Sequence, residues 1–163
     1  MPVFQLALCG LRHFKRALSA LAVFVTLMMM PVQSQAQPEL PQSSLKVRND
    51  RGGGLRERIY EIRALRQSGQ AVRISGSVCY STCTMFLGLP QTCVSPTTVF
   101  GFHGPSSNGR PLDPDVFDHA SQLIVDHYPA NLQQWYWDTA RHETRALYRI
   151  NGAEIVRLGV PAC

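Results

Sequence analysis

Two rhythms of apolar and polar positions run through this chain after a long apolar stretch near its start. Leu55, Ile59, Ile62 and Leu65 recur at helical spacing, and Arg56, Arg58, Arg63 and Arg66 read as the solvated side of a helix over 55–67. Ser68-Gly69 ends it, because glycine takes the left-handed cap at little cost. Leu45-Lys46-Val47-Arg48, Val72-Arg73-Ile74 and the run from Thr97 to Phe102 predict strands. Thr84 to Leu87 is apolar enough to open a buried helix, and Asp113-Pro114 opens another that runs to about His127. Further helices are expected over 130–142, where Trp135, Tyr136 and Trp137 divide between the core and a cleft or interface, and over 152–158. Strand, glycine turn, helix, strand, serine turn, helix, strand is a β-α-β-α-β order, so the fold class is α/β in a single domain over 45–163.

The N-terminal stretch changes how composition is read. Arg12, Lys15 and Arg16 precede an apolar run from Ala17 to about Met30, and Ser34-Gln35-Ala36 supplies small residues at a cleavage site. Residues 1–36 therefore read as a signal peptide cleaved after Ala36, and residues 37–44, with Pro38 and Pro41, as a flexible leader. The expected location is periplasmic or secreted, with no stable membrane anchor after cleavage. Cleavage takes Lys+Arg from 16 to 13 against 11 Asp+Glu, so the net charge falls from +5 to +2. That balance gives no reason to expect a nucleic-acid partner.

Four cysteines follow the signal peptide: Cys79, Cys83, Cys93 and Cys163. An even number in an exported chain points to two disulfides, for which three pairings exist. Cys79–Cys83 with Cys93–Cys163 is preferred, since a four-residue spacing on a turn entering a helix brings two Cα atoms within bridging range. The alternative of a metal or redox pair lacks C-x-x-C spacing and a histidine cluster, so no metal or other cofactor is expected.

Chemistry concentrates at three turns. Gly52-Gly53-Gly54 follows the first strand, Ser81 sits where a strand hands over to a helix, and His103 ends the strand that begins near Thr97. Acyl transfer requires a hydroxyl nucleophile, an imidazole to take its proton, and backbone donors for the oxyanion. Each residue also has a plain structural role available: helix cap for Ser81, strand-end hydrogen bonding for His103, a tight turn for the glycines.

In the order and spacing of Gly53-Gly54, Ser81 and His103 the chain resembles the Clp-protease/crotonase superfamily, and within it the proteolytic subunit of Clp protease. Pro96 and the closing stretch Ala153-Glu154-Ile155-Val156-Arg157-Leu158-Gly159 extend the likeness, which covers about Leu45 to Pro161 and suits an exported branch with cysteines flanking the serine turn. The resemblance implies a Clp-protease/crotonase-like core, Ser81 as nucleophile, His103 as base, and Gly53 with the Thr82 N–H as oxyanion donors. It also implies a peptide or ester substrate and, because such folds form rings, a homo-oligomer as one expectation. The sequence departs from the family at the third triad member, where Leu147 stands; Asp138 and Glu143 are the nearest carboxylates. Three functions follow as expectations: a serine hydrolase, a non-catalytic binding or assembly protein, and acyl-thioester chemistry of the crotonase kind.

Overall fold

The computed structural model describes residues 43–163. The expected signal peptide and most of the leader lie outside the described residues. The described residues are mixed α/β, with six short strands in two three-stranded sheets. In order, β1 is Leu45–Val47, α1 Leu55–Ser68, β2 Val72–Ile74 and β3 Val78–Tyr80. A 3-10 helix follows at Ser81–Gly88, then β4 Thr92–Val94 and β5 Val99–Phe102. α2 is Pro114–Val125, α3 Ala130–Asp138, β6 Tyr148–Asn151 and α4 Gly152–Arg157, with a short 3-10 turn at Ala140–His142 between α3 and β6.

The first sheet is parallel throughout in the order β1-β2-β4, pairing Leu45 with Val72 and Val72 with Thr92. Arg73 points outward between the fully buried Val72 and Ile74, the alternation expected of a sheet with one face on a core. The second sheet has the order β3-β5-β6, with β3 parallel and β6 antiparallel to β5. Phe86, Phe100, Phe102, Leu132, Tyr136 and Ile155 fill the core without appreciable exposure. Two disulfides, Cys79–Cys83 and Cys93–Cys163, close the pairing that the cysteine spacing favours.

The β-α-β-α-β reading is too simple in two respects. It foresees three strands in one sheet, and it has an α-helix behind Ser81 where the chain forms a 3-10 helix. β3, β4 and β6 are three or four residues long and lack the two β-branched residues about a charged one that mark Val72-Arg73-Ile74. The Cys79–Cys83 bridge spans the strand-to-helix junction with Cα atoms 5.4 Å apart. α3 also ends at Asp138, four residues before the expected boundary, and Ala140–His142 continues as 3-10.

One crossing between the sheets places the site. Beyond β1 the chain runs alongside β3, where Asp50 bridges to Cys79 in parallel and the Tyr80 N–H donates to the Asp50 carbonyl at 2.9 Å. The glycine turn that follows is thereby delivered to the C-terminal end of β3, beside Ser81.

Candidate active site

Ser81 is the first residue after β3, and its backbone is left-handed at φ +56. A non-glycine residue in that region carries strain of roughly 1–3 kcal/mol, sustained only where surrounding contacts over-determine it. Those contacts are present. The Cys79–Cys83 bridge spans the turn, and the Thr84 hydroxyl donates to the Ser81 carbonyl at 2.7 Å. Because that donation takes the only hydroxyl proton of Thr84, the Tyr128 hydroxyl must be the donor in its 2.7 Å contact with Thr84. Burial pushes the Tyr128 phenol well above its ordinary range, with Tyr136 nearby adding to the rise and the Thr84 hydrogen bond opposing it. It stays neutral and able to donate.

The glycine turn approaches Ser81 so closely that a side chain at Gly52 has no room. A Cβ there would lie 2.5 Å from the Ser81 Cβ, and Gly52 also has φ +94, so glycine is required twice over. Asp50 braces this turn from behind. Its Oδ1 accepts the Gly52 N–H at 2.8 Å, and its Oδ2 accepts from Arg58 Nη2 at 2.5 Å. The Arg58 side chain is only 10% exposed, with its guanidinium 4.3 Å from the centre of the Phe86 ring. Arg58 therefore belongs to the buried face of α1, not to its solvated side. Its spacing before Ile62 and Leu65, four and seven residues, is the sequence signal that places it there.

His103 follows directly on β5. Its Nε2 lies 2.8 Å from Ser81 Oγ, and its Nδ1 lies 2.6 Å from the carbonyl oxygen of Gly104. A carbonyl only accepts, so Nδ1 carries the proton and Nε2 is left as an acceptor facing the serine hydroxyl. This is the tautomer in which an imidazole can remove a proton from Ser81. Two further bonds hold the His103–Gly104 peptide that precedes this carbonyl. Tyr136 donates its hydroxyl to the His103 carbonyl at 3.1 Å, and the Gly104 N–H donates to the Glu143 carbonyl at 2.8 Å. A Cβ on Gly104 would overlap the carbonyl of Arg141.

The carboxylates expected near the histidine are elsewhere. Asp138 is exposed and accepts from Gln134 at 2.7 Å, while Glu143 meets this region through its backbone carbonyl. A backbone oxygen, Gly104 O, holds the position beside Nδ1. No sequence pattern marks a backbone carbonyl for that position, because every residue has one.

Gly53 and Thr82 both border the same cavity of about 420 Å³ as Ser81 and His103, with Leu55, Ile124 and Tyr128 among its apolar and aromatic walls. Gly53 N–H has no protein acceptor among the described residues. Thr82 is the second residue of a 3-10 helix, where the N–H has no intrahelical acceptor. Its hydroxyl makes a long 3.5 Å contact to the Gly53 carbonyl, tying the two turns together. Among the described residues no helix is long and apolar enough to cross a membrane.

Comparison of the chain with models of known protein families finds no match, and comparison with the curated proteins finds none either.

Proposed function

We propose that this protein is an exported serine hydrolase, acting on peptide or ester bonds through Ser81 and His103 in a Clp-protease/crotonase-like core. The observation that carries the reading is the 2.8 Å contact between Ser81 Oγ and His103 Nε2, in a ring oriented by the Nδ1 bond to Gly104. The left-handed Ser81 backbone at the end of a strand supports it, since such turns project a hydroxyl clear of its own helix. Two disulfides fit an oxidising compartment outside the cytoplasm.

The reaction follows in two steps. Ser81 Oγ attacks the substrate carbonyl carbon as its proton passes to His103 Nε2, and the N–H groups of Gly53 and Thr82 receive the developing oxyanion. The tetrahedral species breaks its bond to the leaving oxygen or nitrogen, which takes the proton from Nε2, and an acyl ester remains on Ser81. Water then attacks that ester, gives a proton to Nε2, and releases the acid as the proton returns to Ser81. Thioester chemistry of the crotonase kind needs no hydroxyl–imidazole contact, so this pair favours hydrolysis over that alternative.

Turnover of a 4-nitrophenyl acyl ester by the oxidised protein tests the reading. Ser81→Ala should abolish it, and His103→Ala should lower kcat/KM by roughly a hundredfold or more, the range of a lost general base, with the melting transition retained. Equal turnover by wild type and Ser81→Ala would overturn the proposal.

A further inference from the structure

His103 borders two depressions. One is the cavity that holds Ser81, Gly53 and Thr82; the other is a shallow groove lined by Thr144, Arg145, Leu147 and Arg149. Ser106 and Gly109 border both, so the two depressions are continuous past the imidazole. Their linings differ in character. The cavity has apolar walls at Leu55, Leu112 and Ile124, whereas the groove carries two guanidinium groups and no acidic side chain.

The sheet register explains why the arginines are there. Gly101 pairs with Tyr80 on one side and with Arg149 on the other, so Tyr80, Gly101 and Arg149 form one row across the second sheet. Without a side chain at Gly101, the Tyr80 ring lies over the backbone and the Arg149 guanidinium sits 5.7 Å from its centre. Arg51, from the glycine turn, lies 5.8 Å from the same ring. Among the described residues, Arg51, Arg145 and Arg149 have no carboxylate partner, whereas Arg58, Arg141 and Arg157 do. A guanidinium free of internal pairing and held near an aromatic face is suited to receive a carboxylate or a phosphate.

We infer that the groove beyond His103 is the leaving-group site, and that it takes a departing group bearing a negative charge, a carboxylate or a phosphate close to the scissile bond. The inference rests on the hydrolase reading above. Its direction comes from the proton path: Nε2 must deliver its proton to the leaving atom, so that portion of the substrate lies past the imidazole, away from the oxyanion donors. The acyl portion then occupies the apolar cavity, and the departing portion meets Arg145 and Arg149.

Three butanoate esters separate the possibilities, with 4-carbamoylphenyl, 4-carboxyphenyl and 4-(phosphonooxy)phenyl leaving groups. Wild type should show kcat/KM about fivefold to tenfold higher for at least one anionic ester than for the carbamoyl ester, as expected of two partly exposed charge pairs. The larger of the two anionic advantages identifies which anion fits. The advantage should fall below twofold in the Arg145→Gln/Arg149→Gln double variant and survive in Arg145→Lys/Arg149→Lys. It should also shrink in wild type as salt is raised, a readout that needs no variant to fold. Parity among the three esters, with turnover that still depends on Ser81, would overturn the leaving-group site and leave the hydrolase reading intact. Absence of any Ser81-dependent turnover would overturn both.

Discussion

The sheet of β1, β2 and β4 is parallel from edge to edge and buries Val72, Ile74 and Val94 on one face while Lys46 and Arg73 face outward; the sheet of β3, β5 and β6 is mixed and keeps β5 buried from Phe100 to Phe102. Cys79, Phe100 and Phe102 face the core there; Tyr80, Gly101 and Arg149 occupy the opposite face. Each sheet contributes one cysteine to a disulfide, with different consequences. Cys93–Cys163 joins residues 70 apart and ties the C-terminus to β4, where Val94 also bridges Ala162. Cys79–Cys83 joins residues four apart and constrains little chain, but it spans the one turn in which Ser81 is left-handed. The first sheet is a scaffold tied to the C-terminus, and the second ends in the strained serine turn. Strain collects where the proposed chemistry is.

That contrast can be broken most forcefully at the long disulfide. Replacing Cys93 and Cys163 by alanine should cost about 4 kcal/mol in denaturant unfolding on the chain-entropy account, yet leave active-site labelling per folded molecule unchanged. Arg58→Met comes next. It removes the partner of a partly buried Asp50 and should cost about 2–3 kcal/mol, and it should also slow labelling because Asp50 holds the Gly52 N–H. Alanine at both Cys79 and Cys83 should cost only about 2 kcal/mol, but with labelling slowed at least tenfold, about 1.4 kcal/mol of lost positioning. The smallest effect is the most specific. Ser81→Gly should be more stable than Ser81→Ala by about 1 kcal/mol, since both lose the hydroxyl and only glycine relieves the left-handed backbone. Equal stability of those two variants would remove the strain from the account.

Much of this was open to a reader of the sequence, and the remainder has physical causes. The helix starting at Leu55, the left-handed stop at Gly69 and the strand at Val72–Ile74 announce themselves because helix period, cap and β-branching agree locally. The approach of Ser81 to His103 follows from two strand ends pairing in parallel, which chain order suggests. β3, β4 and β6 do not announce themselves, since none sets two β-branched residues about a charged one as Val72-Arg73-Ile74 does, and tertiary pairing selects them. Arg58 was masked by its charge, although its spacing to Ile62 placed it inward. A carboxylate side chain is expected beside His103, and the backbone oxygen of Gly104 stands there instead.

The central claim is that Ser81 is a nucleophile activated by His103. Treating the oxidised wild-type protein with a fluorophosphonate and mapping the adduct by peptide mass spectrometry tests it most directly. One adduct per chain is expected, on Ser81 alone, forming much more slowly in His103→Ala. An adduct on another serine such as Ser106, or none on folded protein across peptide-like, ester-like and small probes, would contradict it.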